Sequence, residues 1–80
     1  EAMMERWSTI VNSNYHALLL EVRQGRPTFL DPYAATNLAE FFAVTSELFF
    51  EEPKELRQNI PELFELLLAY YRVNPVDWQA

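Results

Sequence analysis

Apolar residues along the first two dozen positions recur at Trp7, Ile10, Val11, Tyr15, Leu18, Leu19 and Val22, at intervals of three and four. That is the period of a helix with one apolar face, and it predicts a helix over about residues 3–24. Gly25 is placed to end it, because glycine tolerates the left-handed conformation of a helix C′ position. Arg23 and Arg26 lie where the helix dipole favours positive charge. Residues 26–35 hold two prolines and no periodicity, which predicts an ordered connector anchored by its aromatic residues rather than a strand or a helix.

The helical period resumes at Asn37. Leu38, Phe41, Phe42, Thr45, Leu48 and Phe49 form a broad inner face over about residues 37–51, and Asn37-Leu38-Ala39-Glu40 has capping-box spacing. Pro53 suits the first turn of a further helix, with Glu52 and Glu55 near its positive end, so residues 53–58 are expected to form a short one. Asn59 is placed to stop it and start the next. There Leu63, Phe64, Leu66, Leu67, Tyr70 and Tyr71 supply the buried stripe of a helix over 61–73, closed by Asn74-Pro75 and followed by a loose tail. The expectation is an all-α fold in a single domain of residues 1–80: a small bundle of three main helices plus one short helix.

Composition narrows the function classes. A chain of 80 residues makes one domain at most and buries only about 60% of its unfolded surface. A hydrophobic content of 50% with 15% aromatic residues is ample for a helical core, and one glycine with five prolines argues against a β-rich or disordered chain. The absence of cysteine removes disulfides and thiolate metal sites together and fits a reducing compartment, so a cytoplasmic location is expected. No apolar run approaches the roughly 18 residues of a membrane span, and the first residues lack the basic and apolar regions of a signal peptide. A net charge of −6, with six Lys or Arg scattered at 6, 23, 26, 54, 57 and 72, opposes attraction to phosphate backbones or anionic lipid. Neither a nucleic acid nor a membrane is an expected partner.

Candidate chemistry lies between Asp31 and Phe50. Glu40 and Glu47 stand seven residues apart on an otherwise apolar and aromatic helix, nearly two turns, so both carboxylates point the same way. Such groups cost free energy unless a metal, an arginine, a cap or water pairs with them. From spacing alone, Glu40 is most simply the second half of a capping box or a solvated side chain. Tyr33 reads as a ring packed on the bundle with its hydroxyl in water. Glu47 is an exposed charge or a partner for Arg57 or Arg72, and His16 is an ordinary surface or boundary residue on a mixed helix face. No glycine-rich phosphate loop, Ser/His/Asp set or Cys/His set is present.

The same stretch resembles the C-terminal part of the Mlc titration factor A (MtfA) family of zinc-dependent peptidases. The resemblance is carried by Tyr33-Ala34-Ala35, Ala39-Glu40-Phe41-Phe42-Ala43-Val44, Ser46-Glu47, Phe49-Phe50 and Pro53. It continues through Ile60-Pro61-Glu62-Leu63, Tyr70-Tyr71 and Asn74-Pro75. In that family an HExxH helix supplies two histidines and a catalytic glutamate, a later glutamate completes the zinc site, and a tyrosine seven residues before it is implicated in catalysis. The resemblance therefore implies that Glu40 is the third protein ligand of zinc and Tyr33 a catalytic tyrosine. Zinc-bound water would be the nucleophile acting on a peptide substrate. Glu47, on the face of Glu40, becomes a candidate to accept a hydrogen bond from a ligating histidine. The family's best-known role, binding and titrating a glucose-responsive transcriptional repressor, adds that repressor as an implied partner.

The chain departs from the family in one decisive respect: it has no HExxH, and its only histidine, His16, is followed by Ala-Leu-Leu-Leu. One carboxylate without imidazole partners holds zinc poorly. The chain is accordingly expected to be a C-terminal piece of a larger enzyme, inactive alone, whose N-terminal catalytic half carries HExxH. The adjacent pairs Phe41-Phe42 and Phe49-Phe50 cannot all point inward, since neighbours on a helix lie about 100° apart. That catalytic half is the expected partner for the surface left over, with another protein or a second copy as rivals. The alternative reading from a different class is an acidic helical interaction module that binds a transcriptional repressor without catalysis, with Glu40 acting only in a cap. A family member whose zinc site has decayed is a third.

Overall fold

The computed structural model describes residues 2–78 and is all-α: no strand occurs among the described residues. Four helices run in order, α1 over Ala2–Arg23, α2 over Leu38–Glu51, α3 over Pro53–Asn59 and α4 over Pro61–Tyr71. Two short 3₁₀ turns, Pro32–Ala35 and Pro75–Trp78, complete the secondary structure. The chain divides into two compact units, residues 1–45 and 46–80, with the division falling inside α2. No helix among the described residues is long and apolar enough to cross a membrane.

In the first unit α1 ends as its sequence dictates. Gly25 adopts φ +70°, its N–H donates to the Val22 carbonyl, and the Arg26 N–H reaches back to the Glu21 carbonyl at 2.9 Å. This paired closure satisfies two of the carbonyls a helix end leaves open. Val11 and Leu18 are the buried residues of the α1 stripe, while Val22 at its end is exposed. The first half of α2 meets α1 through aromatic rings. Trp7 lies 5.6 Å from Phe42, and Tyr15 meets Phe41 edge-on at 5.6 Å. Phe41 and Thr45 are buried. The Thr45 hydroxyl donates to the carbonyls of Phe41 and Phe42, so its burial leaves no orphaned polar group.

The connector is more regular than its two prolines suggest. Asp31 caps the turn Pro32–Ala35 by accepting from the Tyr33 N–H, Pro32 supplies a preset φ at the first position, and Ala34 is fully buried. The buried Leu30 pins the other side.

In the second unit two prolines set the boundaries. Each disfavours the helical conformation in the residue before it, and Glu52 and Ile60 accordingly take φ near −135° with ψ of 59° and 73°. Ile60, not Asn59, is therefore the residue shared between α3 and α4. Asn59 is the last residue of α3, and its side chain bonds the Glu55 carbonyl. Leu56 of α3 and Leu63, Phe64, Leu66 and Leu67 of α4 are buried, with the Arg57 guanidinium 5.8 Å from the Phe64 ring centre. Phe49 is fully buried among rings, 5.5 Å from Phe64 and stacked on Tyr71 at 5.8 Å. The α4 helix closes at Tyr71 with Arg72 in the left-handed region, φ 61°, two residues earlier than the apolar stripe suggests. Of the tail expected to be loose, Pro75–Trp78 form a 3₁₀ turn, and the last two residues lie outside the described residues. Asn74 accepts from the Val76 N–H, Pro75 is buried, and the turn packs against α3.

Candidate metal centre

Glu40 is the third residue of α2, within its first turn. Asn37 is the N-cap: its carbonyl accepts the first helical bond, from Phe41 N–H at 2.9 Å, and its Oδ1 accepts from Glu40 N–H at 2.8 Å. Only this half of the capping box forms. Glu40 is of intermediate burial as a residue, and its carboxylate makes no hydrogen bond and no ion pair among the described residues. A carboxylate carried on a helix and left without a protein partner retains both oxygens for an external ligand.

Tyr33 belongs to the same unit, in the 3₁₀ turn. Its backbone is fixed at both ends, the N–H by Asp31 Oδ1 at 2.9 Å and the carbonyl by Thr36 N–H at 3.1 Å. Its side chain is 58% exposed, and its hydroxyl has no partner among the described residues. The ring is thus presented outward rather than packed down on the bundle.

Glu47 lies in the second unit, exposed, and pairs with neither Arg57 nor Arg72 among the described residues. His16 is an exposed residue of α1 whose ring lies 5.8 Å from that of its neighbour Tyr15. Among the described residues no three His, Cys, Asp or Glu side chains gather into a metal-holding group. Zinc in a catalytic site takes about three protein ligands. Glu40 fits as one of them, and no others stand beside it among the described residues.

Two features escaped the pattern of apolar positions. The cap that Asp31 places on Tyr33 was signalled by Asp31-Pro32, a cap residue followed by proline at the first helical position. The hydrogen bond from the Tyr71 hydroxyl to Ser46 Oγ, 2.8 Å across 25 positions, has no local sequence signal.

Comparison with known proteins extends this picture. Residues 1–72 match the sequence model described as glucose-regulated metallo-peptidase M90. An uncharacterized protein of Synechocystis sp. is 44% identical over 72 residues, covering 90% of this chain and 26% of the relative. Mlc titration factor A of Pectobacterium atrosepticum is 41% identical over 54 residues, 62% of this chain and 20% of the relative. Mlc titration factor A of Yersinia pestis is 43% identical over 47 residues, 59% of this chain and 17% of the relative. The chain thus spans about a quarter or less of the length of these relatives. No solved structure matches. The likeness to the C-terminal part of the Mlc titration factor A family, drawn from Tyr33, Glu40 and their neighbours, is borne out. With the match running across 72 of its 80 residues, the chain belongs to the glucose-regulated metallo-peptidase M90 family.

Proposed function

We propose that this chain is the C-terminal part of a zinc-dependent metallopeptidase of the cytoplasm, in which Glu40 is the third protein ligand of the metal. On this reading the 80 residues form one structural piece of a larger catalytic protein and are inactive alone. The carrying observation is the carboxylate of Glu40, a residue of intermediate burial, which stays out of the capping box that its position offers and has no other partner among the described residues. Two histidines and a general-base glutamate come from an HExxH in the N-terminal half. When bound, zinc polarises the scissile carbonyl and lowers the pKa of a bound water to about 7.

The remaining roles belong to this chain's own side chains. Glu40 contributes negative charge from a backbone position that the Asn37 cap holds at the start of the helix. Tyr33 holds an exposed, unpaired hydroxyl on a braced turn, and donates a hydrogen bond to the carbonyl oxygen of a peptide substrate as negative charge develops there. Glu47, exposed and unpaired, accepts an N–H from one of the upstream histidines and so fixes its orientation.

Metal analysis and peptidase assays on the full-length protein test the assignment. Glu40→Gln and Glu40→Ala are expected to lose zinc and activity together. If both contents survive intact in both variants, the assignment is wrong.

A second reading is favoured by the exposed apolar side chains, Leu20, Phe29 and Leu38 in the first unit and Phe50 and Tyr70 in the second. On it the chain is an acidic helical module that docks on a transcriptional repressor, as the name of the Mlc titration factor A relatives suggests for those proteins. Capture of the purified repressor by this chain alone, without zinc, supports the module; capture only by the full-length protein supports a part of an enzyme.

A further inference from the structure

We infer that Asp31 is a positioning residue for Tyr33, acting through the hydrogen bond between its carboxylate and the Tyr33 backbone N–H. The inference rests on the proposed role of the Tyr33 hydroxyl. The turn that carries Tyr33 is only four residues long, closed by the Ala34 N–H on the Asp31 carbonyl at 2.9 Å and the Thr36 N–H on the Tyr33 carbonyl at 3.1 Å. Two buried side chains flank Tyr33, Leu30 before the turn and Ala34 within it, and between them Tyr33 is exposed. The Tyr33 N–H lies in the first turn, where no helical acceptor exists, and Asp31 Oδ1 fills that vacancy at 2.9 Å. The Asp31 carboxylate is exposed, and this is its one hydrogen bond among the described residues.

The chemistry makes that brace consequential. Hydrogen-bond donation to a developing oxyanion requires the donor within about 2.7–3.1 Å of its target, and a misplacement of about 1 Å costs on the order of 10²-fold in rate. Pro32 fixes its own φ but leaves ψ free, so the direction of the Tyr33 Cα–Cβ bond depends on the amide that Asp31 holds. Aspartate is short enough to reach two residues ahead. Asparagine offers the same acceptor without charge, whereas glutamate keeps the charge and moves the acceptor one methylene away.

The test uses the full-length protein, with kcat, KM and zinc content for Tyr33→Phe, Asp31→Ala, Asp31→Asn, Asp31→Glu and the pair Asp31→Ala with Tyr33→Phe. Amide hydrogen exchange of residues 30–36 provides a readout independent of activity. Asp31→Ala is expected to lower kcat about tenfold or more with KM within about twofold. Its zinc content should hold, and its exchange at Tyr33 should quicken. Asp31→Asn should stay within about threefold of the parent, Asp31→Glu should fall well below it, and Asp31→Ala should add nothing once Tyr33 is Phe. If Tyr33→Phe loses activity while Asp31→Ala is silent or its effect persists in the pair, the positioning role is wrong and the role of Tyr33 stands. A fully active Tyr33→Phe removes the role of Tyr33 and the inference with it. Should Asp31→Ala not fold, the order of Asp31→Asn and Asp31→Glu decides, and a better-performing Asp31→Glu overturns the inference.

Discussion

The backbone N–H of Glu40 donates to Asn37 Oδ1 at 2.8 Å, while the Glu40 carboxylate takes no part in the cap. The start of α2 and the candidate ligand are therefore separable, although they occupy one residue. Asn37→Ala should cost about 1 kcal/mol of stability, and Asn37→Asp should restore most of it. Glu40→Gln should leave stability within about 0.5 kcal/mol, provided unfolding is followed in metal-free protein. Equal losses for Asn37→Ala and Glu40→Gln in urea titrations would mean that the carboxylate belongs to the cap after all.

Tyr71 and Ser46 join the end of α4 to α2 by a hydrogen bond of 2.8 Å between two half-buried side chains. Tyr71→Phe keeps the ring against Phe49 and Phe50 and removes only the hydroxyl. The expected loss is about 0.5–1.5 kcal/mol, and Ser46→Ala should lose a similar amount. A double-mutant cycle checks the pairing, since the double variant should cost less than the sum of the two single changes. Simple additivity would assign the cost to separate environments.

How far the sequence reaches depends on whether the deciding contact is local. Gly25 was legible because one residue's φ determines the helix end. Phe41, Thr45 and Phe49, buried four apart, were legible because the helical period itself selects them. Leu38 fits the same stripe, yet it is 45% exposed at the first turn of α2, and Tyr70 is 57% exposed near the end of α4. A period gives a direction, and burial also needs a neighbour at that height. Ile60 replaced Asn59 as the boundary because a following proline constrains its predecessor more strongly than asparagine's preference for caps. At the candidate centre, Glu40 and Tyr33 come from likeness to a family and not from periodicity, for spacing alone favours a capping box or a solvated side chain, and the structure forms only half of that box.

Gly25 has φ +70° and open space where a Cβ would stand, with nothing within 4 Å. A side chain there meets no steric obstacle, so the entire effect of Gly25→Ala is the backbone strain of a left-handed alanine. That strain is about 1–2 kcal/mol. Gly25→Asn should cost less, because asparagine visits this region more readily. Thermal unfolding of the two variants ranks them, and an alanine variant as stable as the parent would mean that α1 can end in another conformation.

Phe49 and Phe50 are neighbours of one type with opposite surroundings, which makes them an internal control. Phe49 is 0% exposed and touches the rings of Phe64 and Tyr71, whereas Phe50 is 39% exposed and meets Phe49 and Tyr71 edge-on at 5.1 and 4.9 Å. Truncating a buried phenylalanine removes its transfer free energy and leaves a cavity, so Phe49→Ala should cost about 3–5 kcal/mol. Phe50→Ala loses partial burial and the edge-on contacts with Phe49 and Tyr71, for which about 1 kcal/mol is expected. Small domains hold only about 5–15 kcal/mol in total, so the first change threatens folding and the second does not. If Phe50 also packs against the N-terminal half, Phe50→Ala should be more costly in the full-length protein than in this chain alone. The comparison of the two unfolding curves measures that difference directly, and equal costs in both settings would leave the exposed face of Phe50 without a role in joining the halves.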